Sequence, residues 1–316
     1  MRLGPLHISL SLILVSGLVL CSGCSGARGM SSTSPIPSPA PAAMPQFGQV
    51  VLVVEENHSY SSVIGNSAMP YLNSLAQRYG LATNYYANVH PSIGNYFMLT
   101  TGQIITTDDS STGTVDADNL VRELLAAGKT WKAYAESLPS AGYTGGDVYP
   151  YLERHNPFSY FSDVRNSSKQ LQNLVPFTQF AADLAKGQLP TFSYIVPNAE
   201  HDAHDCPDGT SNCPDSARLS AADGWLHSNI APLLASSGFQ KDGLLVVVFD
   251  ESLDIDTAHG GGHVPMLVIS PKAKPGYQST TVYQHQSTLR LLIEASGATA
   301  FPGASGSAPD MSEFFQ

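Results

Sequence analysis

Charge is scarce in this sequence: only 13% of the 316 residues are Asp, Glu, Lys or Arg, against roughly 25% in an average soluble domain. The basic side is the poorer one, with 15 Lys and Arg facing 26 Asp and Glu, a net charge of −11. Those basic residues are scattered singly, so no patch exists to hold a polyanion and a nucleic-acid-binding surface is excluded. Several signatures are also missing. No Gly-x-Ser-x-Gly marks a serine esterase. Gly128-Lys129-Thr130 has Glu123 where a nucleotide loop needs its first glycine. Asp254 and Asp256 lack the central Gly and closing Glu of a calcium loop. There is no internal repeat. What is present is apolar: 42% hydrophobic and 9% aromatic residues can bury a sizeable core and exclude a disordered or fibrous chain.

Arg2 precedes an apolar run, Ile8 to Leu20, which is too short to span a bilayer and is followed by small residues. Residues 1–27 therefore read as an export signal. Two processing sites compete: Leu20-Cys21-Ser22-Gly23-Cys24 resembles a bacterial lipobox, whereas Ser25-Gly26-Ala27 suits ordinary signal peptidase. Residues 28–46, rich in Pro, Ser and Ala, read as a solvated linker. The expected location is extracytoplasmic: secreted, periplasmic, or a lipoprotein that meets the membrane only through a lipid on Cys24. In an oxidising compartment Cys206 and Cys213 are expected to pair as a local disulfide.

The remaining chain alternates strand and helix patterns. Gln49–Val54, Leu244–Phe249 and Met266–Ile269 are apolar runs of buried-strand type, joined by strand candidates at Ala82–Val89, Trp131–Ala135 and Thr191–Val196. Helical spacing covers Met69–Tyr79, Asn95–Thr101, Asn119–Ala127, Leu171–Lys186, Ser220–Ser236 and Gln286–Ala295. This is an α/β pattern, a mainly parallel sheet with helices on both faces. One domain is expected over 47–297, with a flexible tail at 298–316.

In such folds ligands bind beyond the carboxyl ends of the strands. Two strands end in acid there, giving Glu55-Glu56-Asn57-His58 and Asp250-Glu251. Carboxylates gathered at one edge repel unless a cation lies between them or one is protonated. Ser92, in His90-Pro91-Ser92-Ile93-Gly94-Asn95-Tyr96, lies between a strand and a helix, where backbone N–H groups can face an anion. Asn95 sits one turn on. His201 and His204 crowd a third polar segment, and Gly260-Gly261-Gly262-His263 forms a flexible run. Taken singly, these residues are equally read as helix caps and polar loops.

Taken together, Val53–Tyr60, His90–Tyr96, Asp202–Cys206, Asp250-Glu251 and Gly262–Pro265 resemble, in this order, a bacterial phosphoesterase family. That family includes acid phosphatases and non-haemolytic phospholipases C and belongs to the alkaline-phosphatase superfamily. The resemblance implies an alkaline-phosphatase-like fold and metal binding by Glu56, Asn57, Asp250 and Glu251. It also implies Ser92 as metal-bound nucleophile, Asn95 and His90 as phosphate contacts, and His201 and His204 as phosphate-binding or leaving-group groups. One departure is Gly94, where many relatives carry Pro. The all-oxygen ligand set favours Ca²⁺, Mg²⁺ or Mn²⁺, and a histidine ligand reopens Zn²⁺ or iron. The expected activity is hydrolysis of phosphate esters through a phosphoseryl intermediate, acid-phosphatase-like. A phospholipase C-like diesterase and a non-catalytic lipid-anchored binding protein are the alternatives.

Overall fold

The computed structural model describes residues 44–316. The expected export signal and all but the last residues of the expected linker lie outside them. Ten strands form: β1 (Gln49–Glu55), β2 (Gly80–Ala82), β3 (Tyr85–Tyr86), β4 (Trp131–Ala135), β5 (Leu174–Pro176), β6 (Phe192–Val196), β7 (Gly243–Phe249), β8 (Met266–Ile269), β9 (Gln278–Ser279) and β10 (Tyr283–Gln284). Eight make one sheet in the order β5-β4-β6-β1-β7-β8-β2-β9, and β3 pairs with β10 separately. All pairings in the large sheet are parallel except those of β8 with β7 and β2. This is the expected α/β architecture.

Strand β1 lies at the centre because Val50 to Val54 are all apolar and mostly β-branched, suited to a strand covered on both faces. All five are fully buried. The parallel register places Val53 beside Ile195 and Glu55 beside Phe249. The segments that follow β1, β6 and β7 therefore leave the sheet at the same edge. Residues far apart in sequence meet there: Asp250 N–H donates to the Glu55 carbonyl at 2.9 Å and Glu56 N–H to the Asp202 carbonyl at 2.7 Å.

Three expectations are corrected. The helical pattern of 171–186 is broken into β5 and a helix at Thr178–Ala185. Pro176 holds the preceding residue extended and cannot donate to a ladder, which suits the edge strand it closes. The strand expected over 82–89 becomes two short ones, because Thr83 and Asn84 turn the chain and bond to the carbonyls of Ser279 and Thr280. Residues 298–316 are not a loose tail. Met311, Phe314 and Phe315 are buried, and the Phe314 carbonyl accepts from Lys274 N–H at 2.8 Å. A few large apolar side chains anchor a segment whose Gly, Ser and Pro content otherwise reads as linker.

Candidate active site

The site grows from three chain turns. After β1, Asn57 takes a left-handed backbone conformation (φ 48°), one that Asn tolerates better than most residues. Its N–H then meets Asp250 Oδ1 at 3.1 Å, tying the β1 and β7 exits together. The third turn carries Ser92 into the helix Ile93–Thr101. Ser92 stands at the cap position, yet its hydroxyl makes no capping bond; the Ile93 N–H is taken instead by Asp109 Oδ1 at 3.1 Å. The Ser92 Oγ faces the acidic strand ends, 3.0 Å from Glu251 Oε1, 3.2 Å from Glu56 Oε2 and 3.4 Å from Asn57 Oδ1. One hydroxyl proton cannot serve three acceptors. The ordinary capping role is thus set aside for Ser92.

Burial makes this cluster electrostatically costly. Glu56, Asp250 and Glu251 are almost completely shielded from solvent. Burial, reinforced by Asp250 and Asp202, pushes the Glu56 carboxyl well above its usual range. Burial lifts Asp250 to about 7, and burial with the neighbouring Asp250 lifts Glu251 to about 9. Asp202, buried beside them, is raised to about 7. Asp250 Oδ2 and Asp202 Oδ2 have no hydrogen-bond partner. Such a group of acids is stable when protonated or when a cation compensates it.

The Asn57 amide makes the same point. Turned one way, its nitrogen donates to Glu56 at 2.8 Å and Glu251 at 3.2 Å while its oxygen accepts from His204 Nε2 at 3.2 Å. Turned the other way, its oxygen joins those of Glu56, Glu251 and Ser92, an arrangement that a cation between them or a proton on one carboxyl favours. Among the described residues, two groups of side chains hold their ligating atoms within 4.8 Å of one another: Glu56, His155 and Asp202, all buried, and His90, Glu251 and Asp254, which run from half-buried His90 and buried Glu251 to exposed Asp254. The acidic and histidine residues of this edge are thus suited to binding a metal ion. Of the expected ligands, Glu56 falls in the first group and Glu251 in the second, with the Ser92 hydroxyl between them; Asn57 and Asp250 belong to neither group.

The other expected residues divide. His204 Nδ1 is 2.8 Å from Asp205 Oδ1, which leaves Nε2 beside Asn57. A cavity of about 250 Å³ opens there, lined by Asn57, His58, His204, Asp205, Arg218 and Leu253 among others. His201 instead bonds Glu136 at 3.0 Å and faces the helix Asp215–Ala235, with no contact to the Ser92 cluster. Asn95 is wholly buried and does not contact the cluster: its oxygen accepts from Asn88 and Val89 N–H, and its nitrogen donates to the Val89 carbonyl. It shapes the loop before Ser92. Both His90 nitrogens are also engaged, with Glu251 Oε2 at 2.8 Å and the Asp256 carbonyl at 3.0 Å, so His90 supports Glu251 and is not free for phosphate. His263 stacks on Tyr60 and bonds the Thr83 carbonyl. Its glycine run packs closely: a Cβ on Gly262 would lie 1.8 Å from Ser252 Oγ.

Sequence reasoning missed the groups behind the cluster. Tyr96 OH donates to Glu56 Oε1, and His155 lies between Glu56 Oε1 (3.3 Å) and Asp202 Oδ2 (3.4 Å). Burial, with Arg154 nearby, holds His155 neutral, its pKa well below the ordinary histidine value. His155 ends a three-residue 3-10 helix, Glu153–His155, too short to leave a periodicity that would flag it. Tyr96, one residue past Asn95, was hidden by the same helix that revealed Asn95.

A mostly parallel sheet flanked by helices, with an acid-ringed serine at its carboxyl edge, is a fold of alkaline-phosphatase type. A member of that superfamily from Vibrio parahaemolyticus shares the fold, with a TM-score of 0.58 at 17% identity over 84% of this chain and 70% of that one. The chain belongs to the Phosphoesterase family, whose profile matches residues 65–297. It is 32% identical to a phosphatidylinositol-3-phosphatase of Mycobacterium tuberculosis, over 82% of this chain and 80% of that protein. It is 31% identical to an acid phosphatase of Aspergillus fumigatus, over 84% of this chain but only 58% of that one. These similarities make it a hydrolase acting on phosphoric ester bonds.

Proposed function

We propose that this is an exported, metal-dependent phosphatase that hydrolyses phosphate monoesters through a phosphoserine at Ser92. The observation that carries this reading is the Ser92 hydroxyl, turned away from its own helix toward Glu56, Asn57 and Glu251 at 3.0–3.4 Å. Glu56, Asn57, Asp250 and Glu251, with Ser92, would hold a divalent cation, Ca²⁺, Mg²⁺ or Mn²⁺ by their oxygen donors; recruitment of His155 would favour Zn²⁺ or iron. Bound there, the cation supplies positive charge that lowers the serine pKa and offsets charge on the phosphoryl oxygens.

Ser92 Oγ attacks phosphorus in line and the bond to the leaving alcohol breaks. The serine proton has acceptors at hand in Glu251 and Glu56. His204 protonates the leaving oxygen through Nε2, oriented by the Nδ1 contact to Asp205. In the second half His204 takes a proton from water, which attacks phosphorus and releases phosphate and free Ser92. His201 and Asn95 take no part. They position the surrounding loops. Export is supported by the N-terminal apolar run and by the bonded Cys206–Cys213 pair. None of the described helices is long and apolar enough to cross a membrane.

The test is to assay the purified protein on phenyl phosphate, a phosphodiester and phosphatidylcholine, each with and without chelator, beside Ser92→Ala. Monoester hydrolysis lost to both chelator and Ser92→Ala is expected. Preferential cleavage of the diester or phosphatidylcholine would move the chain to the phospholipase C class, and hydrolysis indifferent to chelator would remove the metal from the reading.

A further inference from the structure

The cavity beside His204 contains a cation that the chemistry above does not use. Arg218 lines it, near the start of the helix Asp215–Ala235. Its Nε is shut away from solvent and has no hydrogen-bond partner, and among the described residues its guanidinium forms no ion pair. This is unusual company for a buried guanidinium N–H, which ordinarily finds an acceptor. A positive charge early in a helix also opposes the helix dipole, so local structure gives no reason for its placement. The cavity continues from Asn57 and His204, where the leaving group departs, to Arg218 and His58. His58 Nε2 is held by Asp215 Oδ1 at 2.9 Å, which leaves the guanidinium as the unspent donor on that wall.

We propose that Arg218 binds a second anionic group of the substrate, carried on the leaving-group side of the scissile ester. The substrate class is then a phosphate monoester whose alcohol itself bears a phosphate or phosphodiester. The physical reason is the charge of the site: Glu56, Asp250, Glu251, Asp202 and Asp205 all crowd this edge, and a doubly anionic substrate needs a compensating cation beyond the one held at Ser92. A planar guanidinium suits a phosphoryl group because it donates two parallel N–H bonds. This inference rests on the assignment of Ser92 and His204 above.

The test compares the full chain with Arg218→Ala and Arg218→Lys on three probes. Phenyl phosphate has an uncharged leaving group, 1,3-propanediol bisphosphate carries the second anion in a soluble form, and a short-chain phosphatidylinositol 3-phosphate carries it as a lipid phosphodiester. The measured quantity is kcat/KM on each doubly anionic probe divided by kcat/KM on phenyl phosphate. A charged hydrogen bond to phosphate corresponds to about 10- to 100-fold, so this ratio should fall about 30-fold in Arg218→Ala, mainly through KM, and partly recover in Arg218→Lys. The arm that shows the loss identifies whether the source is a soluble bisphosphate or a lipid headgroup. A ratio unchanged on both arms, or an equal loss on all three probes, overturns the proposal. A Ser92→Ala variant with normal turnover would instead overturn the underlying assignment, so the two failures are distinguishable.

Discussion

Along one half of the sheet's carboxyl edge, Glu136 accepts hydrogen bonds from His201 and from Asn198 N–H, and Asp223 caps the helix Pro70–Arg78 by accepting from Tyr71 and Leu72 N–H at 2.9 and 2.8 Å. Along the other half, Glu56, Asp250 and Glu251 face one another across Ser92 with no positive side chain among them. Burial pushes Glu136 up, yet its hydrogen bonds prevail and leave it below the ordinary carboxylate value. Burial and mutual repulsion leave the second set well above it. The first cluster satisfies itself and holds loops in place. The second keeps its carboxylates crowded in spite of bonds from His90, Tyr96 and Asn57 N–H, a perturbation of the kind that clusters at functional sites. Glu55 lies between the two halves, buried without a hydrogen-bond partner, and burial with Asp202, Glu136 and Asp223 nearby pushes its carboxyl well above the usual range.

The strongest way to break this comparison is Ser92→Ala. Nucleophile, cation and acid act as a unit, so kcat should fall by about 10³-fold or more, with the melting temperature nearly unchanged because no capping bond is lost. Ser92→Thr keeps a hydroxyl and should retain partial activity. Asp250→Asn comes next. It should lose most turnover and weaken cation binding, yet in chelator at pH 8 it should be at least as stable as the natural protein, because one repelling charge is gone. A less stable Asp250→Asn would mean that the carboxylate is structural.

Histidine substitutions sharpen the contrast between the halves. His204→Gln should cost about 10²- to 10⁴-fold on esters with poor leaving alcohols. His201→Gln should leave rates close to normal and act on stability. The Glu136 hydrogen bond raises His201 above its ordinary pKa. The folded form thus gains stability that is complete below about 6.5 and is lost as pH rises through the raised value. The deficit of His201→Gln should therefore be largest in acid and fade above neutral pH. It should not exceed about 1 kcal/mol, since the pair is partly exposed. Thermal melts at pH 5 and 8 check this.

Chelated protein gives a gentler test. Asp250, Glu251 and Asp202 hold protons when folded that the unfolded chain releases near pH 4. Their contribution is complete below that pH and disappears as pH climbs through about 7 and about 9. Melting temperature in chelator should fall from pH 5 to 9, and added divalent cation should restore more of it at pH 8 than at pH 5. A flat profile would remove the case for a cation. The smallest effect concerns the Cys206–Cys213 bond, whose reduction should loosen the loop after His204 and cost only a small part of activity.

How much of this was legible in the sequence depended on locality. The buried strands β1, β7 and β8 were readable because unbroken Val, Leu and Ile runs have few other uses. Glu56, Asn57, Asp250 and Glu251 were readable because they directly follow such strands, and parallel pairing brings those ends together. Direction was not readable. His201 and His204 look alike in the sequence, and only the turn at Ala203, with its left-handed backbone (φ 80°), sends them to opposite halves of the edge. Asn95 was placed on the correct helix, but a helical offset does not say that its amide would be consumed by the Asn88–Val89 loop. His155 and Arg218 stayed invisible because their meaning comes entirely from tertiary neighbours. The packed 298–316 segment was missed for a compositional reason: Met311, Phe314 and Phe315 are too few to register against their Gly and Ser surroundings.

The central claim is that Ser92 is used as a nucleophile and not as a cap. Acid quench of the enzyme during turnover of a ³²P-labelled monoester, followed by peptide mapping, tests it most directly. Label on the peptide containing Ser92, absent from Ser92→Ala and from chelated enzyme, is the predicted result. Rapid turnover with no label on any serine, together with an active Ser92→Ala, would contradict it and assign the attack to water.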